Sequence, residues 1–340
     1  MQSSADVTRL IYFGAFFSAL RMLVGGVSAL YLISKGVSLQ EIGILKSFQA
    51  GVIFVFDAPL AYIADRYSRT MSIKLAVLFS AAWLLVTAVS SDFEHFLLAE
   101  LLNALSLALF NGAFLSYLLS NTGKEEKKPI LSRYTKIQHV LMALFALLGP
   151  MTIETVSSSF LWYYASVAMF FWFFMSFVLI EKEKSKERSV AEEVAITVRE
   201  DLKKAVSAVV NMKVLMVFVV SFGVFYQVLI QFWQPVLKNA GGISDHAYLW
   251  GVIFFLVLSV QSLSGYLSEK RTRMILPSIW VFTFALIAIW LFAESKELFF
   301  TALILIIFLF SGFSQFILIL FFMSQLMTGS GVRWSLSSQR

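Results

Sequence analysis

The sequence predicts an all-α polytopic membrane protein, a bundle of about ten transmembrane helices. Hydrophobic residues make up 59% of its 340 residues and charged residues only 14%, against about 25% charged in average soluble domains. The mean hydropathy is +0.80. So little polar sequence cannot cover a soluble core of this size. In addition, apolar stretches of about 20 residues, the length that crosses a bilayer, recur along the chain.

Ten stretches are long and apolar enough to be predicted as spanning helices. The first exceeds the apolar region of a signal peptide, so we interpret it as a retained helix. An even number of spans places both termini on the same side of the membrane. The predicted spans are 9–33, 42–64, 72–90, 94–119, 135–155, 159–180, 213–236, 248–268, 274–293 and 298–326.

The positive charges indicate the orientation. Most of the 27 Lys and Arg residues fall in alternate connections and at the two ends of the chain. Because Lys and Arg accumulate in cytoplasmic loops, we expect both termini to be cytoplasmic. The net charge of +6 fits loops that face anionic lipid better than a nucleic-acid partner.

A polar segment divides the chain into unequal parts. Residues 1–180 are predicted to form a six-helix bundle, and residues 213–340 a bundle of four helices. Between them, 181–212 is a cytoplasmic linker in which Ser189 and Glu192 match a capping box. Valine and leucine recur there every four residues, so we expect part of the linker to be an amphipathic helix; a plain tether is the alternative.

One charge pattern occurs twice. "AYIADRYSRT" (61–70) and "GYLSEKRTRM" (265–274) share the order acid, base, two spacers, Arg, and each follows the second helix of its half. Upstream, "GVS" (36–38) matches "GIS" (242–244). The two copies of the pattern are separated by an even number of predicted helices, so the two halves should run in the same direction through the membrane. This predicts parallel pseudo-repeats, an architecture of transporters.

The same stretches resemble a known family. "AYIADRYSRT" keeps the acid and the two arginines of the loop signature of the major facilitator superfamily, although Ala61 and Ser68 replace its usual glycines. "DAP" (57–59), "NGAF" (111–114) and "QFWQPVLKNAGGIS" (231–244) are similar to segments of its bacterial multidrug-efflux branch. The resemblance covers about residues 8 to 326. Family members normally have twelve helices, so the chain is expected to lack the last two.

The resemblance implies secondary active transport by alternating access, in the bacterial cytoplasmic (inner) membrane. We expect proton-coupled export of a small amphiphilic compound, such as a drug, antibiotic or peptide. The alternatives are an importer of a small metabolite and a truncated membrane protein that does not transport. Cysteine is absent and the three histidines lie far apart, so we expect no disulfide, metal site or cofactor. Catalytic motifs are also missing, so an enzyme is not expected.

Charges within predicted spans are the first candidate site residues, because a buried charge in a membrane needs a partner or a wet cavity. Arg21 and Asp57 are expected at about 18 and 12 Å from the cytoplasmic surface, and Glu100 at about 10 Å from the outer surface. These depths allow a cluster of Arg21 with one or both acids. We predict proton or substrate binding; a static buried ion pair is the alternative.

Polar residues on later spans extend the candidate site. In the family, helices 1, 4, 7 and 10 line the cavity, which implies binding roles for Asn111, Gln227, Gln231 and Gln315; ordinary hydrogen bonding between helices is the alternative. The repeated loops are interpreted as a cytoplasmic latch, or else as charges that only set topology. The latch residues are Asp65, Arg66, Arg69, Glu269, Lys270 and Arg273.

Overall fold

All regular structure in the described part of the chain is helical. The computed structural model describes residues 4–123, 126–153, 157–181, 231–235, 238 and 247–270. The predicted linker helix and the last two predicted spans lie outside these residues. The helices are α1 (Ser4–Gly25), α2 (Ser28–Ser34), α3 (Leu39–Arg66), α4 (Arg69–Val89), α5 (Phe93–Ser120), α6 (Lys127–Ile153), α7 (Ser158–Leu179) and α8 (Ala247–Lys270).

The membrane prediction is confirmed in the first half of the chain. Six helices, α1 and α3 to α7, are long and apolar enough to cross a bilayer. They coincide with the first six predicted spans, to within a few residues at most ends. Helix α8 covers the predicted span 248–268. The protein is therefore an integral membrane protein of the all-α class.

Local signals fix where two of these helices begin. Ser38 and Glu41 form a capping box at the start of α3, with the Ser38 hydroxyl accepting from the Glu41 amide at 3.2 Å. Gly36, at φ +85°, makes the turn that leads into it. Ser68 caps α4 by accepting from the Met71 amide at 3.2 Å. Ser68 thus has a structural role at a position where the related signature has glycine.

The first predicted span, 9–33, is two helices rather than one. Helix α1 ends at Gly25 and α2 begins at Ser28. Two adjacent glycines weaken the helix here, and neighbours occupy the space that side chains would need. A Cβ on Gly25 would lie 2.8 Å from the Phe254 ring, and one on Gly26 would lie 3.2 Å from the Pro150 ring.

The helices pack so that α1, α4 and α5 are the most enclosed. Helix α1 packs on α6 and α7, α4 packs between α5 and α7, α3 packs on α5, and α8 packs on α6. Stacked rings fill the contact between α1 and α5: Phe17 lies 4.0 Å from Phe110, measured between centroids. Outward-facing rings of α7 remain exposed, as is usual for a surface that contacts lipid. They are Phe160, Tyr164, Phe171, Phe174 and Phe177.

Gly149 allows a close approach between α6 and α1. A Cβ at this position would lie 1.8 Å from the Leu23 carbonyl oxygen. We expect Gly149→Ala to force the two helices apart and to cost about 1–3 kcal/mol, seen as a lower thermal midpoint of the detergent-purified protein. Gly51→Ala is the matched control because nothing lies within 4 Å of its Cβ position. Equal midpoints for the two variants would contradict the prediction.

Candidate functional site

Arg21 lies at the centre of a buried polar network. Its guanidinium donates to the Ser80 hydroxyl of α4 at 2.6 Å, and to the Asn103 amide oxygen of α5. Ser106, also on α5, lies within 3.5 Å. The Arg21 residue is only 7% exposed. A single side chain from α1 therefore joins three helices, and its hydrogen bonds compensate for the removal of its charge from water.

Aromatic rings complete the surroundings of the guanidinium. The Arg21 Cζ lies 4.5 Å from the centroid of the Trp83 ring and 5.6 Å from that of Phe17. Cation–π contacts of this kind strengthen when they are desolvated. These contacts of Arg21 are all to side chains of the helical core, so Arg21 holds helices together.

Glu100 is in the same network, but its ionic partner is Lys46. The Lys46 ammonium lies 2.6 Å from Glu100 Oε1, and the two side chains are 15% and 8% exposed. The Asn103 amide donates to Glu100 Oε2 at 3.0 Å. Asn103 therefore bridges the carboxylate and the Arg21 guanidinium. The predicted cluster of Arg21 and Glu100 exists as a bridged chain and not as a direct pair.

Lys46 is the residue that sequence reasoning missed. It lies inside the predicted second span, 42–64, but the distribution of Lys and Arg groups it with the charges of the outer surface. A signal was available, since a lysine four residues inside an apolar span needs a partner. The packing of α3 on α5 places Glu100 beside Lys46. The resulting ion pair is neutral as a whole.

Asp57 lies apart from this network, in a cavity of about 640 Å³. Gln49, Ile53 and Asp57 recur every four residues along one face of α3. Across from them are Leu107 of α5 and Gln231, with Ala50, Phe54 and Ala58 completing the lining. Among these residues Asp57 is the only charged one, so the cavity combines one carboxylate and two amides with a mostly apolar wall.

Other predicted binding residues are only partly placed by the structure. Gln231 lines the cavity with Asp57. Asn111 is exposed on α5, one turn beyond Leu107, and is not part of the lining. Gln227 and Gln315 lie outside the described residues.

The first predicted latch loop is held by contacts within its own hairpin. Arg69 donates to Asp65 at 2.6 Å, which joins the end of α3 to the start of α4. Arg66 donates to the Tyr62 hydroxyl at 3.3 Å. Glu269 and Lys270 end α8, but their side chains are outside the described part, as is Arg273. A contact between the two loops therefore stays a prediction.

A polytopic helical bundle with a cavity and a buried ion pair is an architecture found among membrane transporters. The chain belongs to the Major Facilitator Superfamily, whose family model matches residues 11–337. This family consists of transporters and not of enzymes. The uncharacterized MFS-type transporter YxaM of Bacillus subtilis (strain 168) is 25% identical over 236 residues. That match covers 66% of this chain and 58% of the length of YxaM.

Solved structures show the same fold. A D-xylose-proton symporter aligns with a TM-score of 0.65 at 14% identity, covering 92% of this chain and 80% of its own. The nucleoside transporter NupG gives 0.62 at 16% identity, over 89% and 80%. An inward-facing, unoccupied bacterial homologue of the human lysosomal transporter Spinster gives 0.62 at 16% identity, over 91% and 73%. At these identities the likeness establishes the fold alone.

The buried pair of Lys46 and Glu100 should be strongly coupled. Lys46→Met leaves the Glu100 carboxylate without its cation, and we expect a loss of about 3 kcal/mol, seen as a lower thermal midpoint of the purified protein. Adding Glu100→Gln to Lys46→Met should restore most of that loss, because the remaining groups are neutral. A double variant that is less stable than either single variant would contradict this coupling.

Proposed function

We propose that this chain is a secondary active transporter that exports a small amphiphilic compound, with protons as the coupling ion. The cavity beside Asp57 is the observation that carries the proposal. Its volume of about 640 Å³ falls in the range of small-molecule sites. An apolar wall with one carboxylate suits a molecule that has an apolar body and a cationic group.

Asp57 is the substrate-binding acid in this proposal. Phe54 and Ile53 lie on the same helix and contribute apolar surface, while Gln49 and Gln231 offer amides that can orient polar groups. Asp57 is exposed, so a cationic group can reach its carboxylate, and the apolar residues beside it weaken the screening of that attraction by water.

Glu100 is the proposed proton-binding group. Its carboxylate accepts from Lys46 and from Asn103, so protonation would weaken both contacts and leave an unpaired Lys46 ammonium. Such a change couples the protonation of one acid to the packing of α3 on α5. Arg21 then acts as the fixed end of the network, since Asn103 connects it to Glu100.

Topology and gating complete the proposal. Both termini are cytoplasmic, as the distribution of Lys and Arg favours. The protein resides in the bacterial inner membrane, as the resemblance to the multidrug branch favours. Residues 1–180 and 213–340 form two parallel pseudo-repeats joined by the linker 181–212. Their corresponding loops act as a cytoplasmic latch. The similarity to the multidrug branch favours export.

Import of a small metabolite is the second candidate. Among the structural neighbours is a D-xylose-proton symporter, which supports a proton-driven importer on the same fold. A vesicle assay separates the two directions, because protons that flow into a vesicle drive substrate out through an antiporter and in through a symporter.

Asp57→Asn should reduce transport of a cationic amphiphile by at least about tenfold, because it removes the charge that binds the cation. We would measure ethidium uptake into proteoliposomes with an imposed pH gradient. Glu94→Gln is the matched control, since Glu94 is an exposed acid in the first turn of α5. Equal rates for the two variants would contradict the proposed role of Asp57.

Glu100→Gln should separate proton coupling from substrate movement. We expect uphill accumulation of ethidium to be lost, while exchange of ethidium across the membrane without a pH gradient continues. Arg21→Lys should lower both activities, because an ammonium cannot reproduce the several contacts of the guanidinium. Unchanged, gradient-dependent accumulation by both variants at normal expression would contradict the proposal.

A further inference from the structure

The break between α1 and α2 leaves backbone groups that need partners. A helix end exposes amide and carbonyl groups that have no partner within the helix. Helix α2 has no side-chain cap of its own, because the residue at its N-cap is Val27. In the described structure a residue from a different part of the chain, Gln234, contacts both sides of this break.

The side-chain amide of Gln234 bridges the break. Its Nε2 donates to the Gly25 carbonyl at 3.0 Å, and its Oε1 accepts from the Ala29 amide at 3.1 Å. Gln234 is only 2% exposed. One amide thus satisfies the end of α1 and the start of α2 together, which a side chain with only donors or only acceptors could not do.

Tight packing surrounds the bridge. The Trp233 ring stacks on Phe254 of α8, with centroids 5.7 Å apart. The Phe254 ring also lies against Gly25, and Pro150 of α6 lies against both Gly26 and Gly251. Side-chain space at the break is therefore filled by segments that precede and follow the linker 181–212.

The bridge adjoins the cavity. Gln231, which lines the cavity, precedes Gln234 by three residues in the same helical segment. Glycines at positions 25, 26 and 251 allow close packing at the break. The cavity itself lies beside Asp57. The bridge therefore lies about one helical turn from the cavity lining.

We propose that Gln234 is a positioning residue of the transport cycle. Its two hydrogen bonds hold the broken first span against the segments that follow the linker and close the cavity at this end. Opening the cavity to that face of the membrane requires both bonds to break. This inference rests on the proposed transport function, but it concerns which face the cavity opens to and not what is carried.

The absence of cysteine gives a direct test. Ala50→Cys places one thiol on the cavity wall, and a membrane-impermeant maleimide can be added to either face of sealed vesicles. The bridge face is the membrane face nearer to the contact between Gln234 and Gly25. We expect the thiol to react mainly when the maleimide is added at the opposite face. Adding Gln234→Met should raise labelling from the bridge face, relative to the opposite face, by about tenfold, which corresponds to about 1.4 kcal/mol.

The control removes a similar bond that does not cross the break. Gln138 of α6 donates to the Ser18 hydroxyl of α1 at 2.8 Å, so Gln138→Met also deletes an interhelical bond of a glutamine. It should leave the labelling ratio unchanged. Gln234→Asn, which keeps the amide but is too short to reach both groups, should shift the ratio in the same direction as Gln234→Met.

The proposal is overturned if neither Gln234 variant changes the labelling ratio, or if Gln138→Met changes it equally. Labelling from the opposite face confirms that each variant is folded, and it needs no substrate. If the protein with native Gln234 does not transport ethidium, but the Gln234 variants shift the labelling ratio, the result counts against the proposed function alone. Normal transport with an unshifted ratio would count against the role of Gln234 alone.

Discussion

The low dielectric of the bilayer means that a charge inside the bundle needs a partner or a wet cavity. In the described part of this protein Asp57 lies in a cavity, and the more buried charges are joined by a chain of contacts from Lys46 through Glu100 and Asn103 to Arg21 and Ser80. The chain crosses α1, α3, α4 and α5. Rotation of any of these helices would break a contact, so the network fixes which faces of the four helices meet, whereas apolar packing against lipid or protein distinguishes them poorly.

Among the described residues, the buried network and the cavity differ in whether their acid has a cationic partner. Lys46 and Glu100 neutralise each other in a nearly closed site, while Asp57 is the charged member of an apolar cavity lining. In the proposed function, substrate and proton therefore bind at separate acids on neighbouring helices. The packing of α3 on α5 connects them, because Lys46 and Asp57 are on α3 and Glu100 is on α5.

Several features of the fold were predictable from local sequence. Hydropathy located the first six spanning helices, since the length of an apolar stretch is a property of the chain itself. Arg21 and Glu100 were recognised because a charge within such a stretch is costly wherever it finally lies. The predicted roles of Gln227, Gln315 and the second loop of the repeat stay predictions.

Partnership between helices was decided only by the tertiary structure. The sequence determined that this is a helical membrane protein and identified acids and an arginine that need partners. It could not assign Lys46 to Glu100 or Gln234 to the break at Gly25, because these contacts join residues 54 and 209 positions apart. Such contacts depend on the rotation and crossing of packed helices. The side chains that meet are thus set by the three-dimensional packing, for which no local pattern in the chain provides a signal.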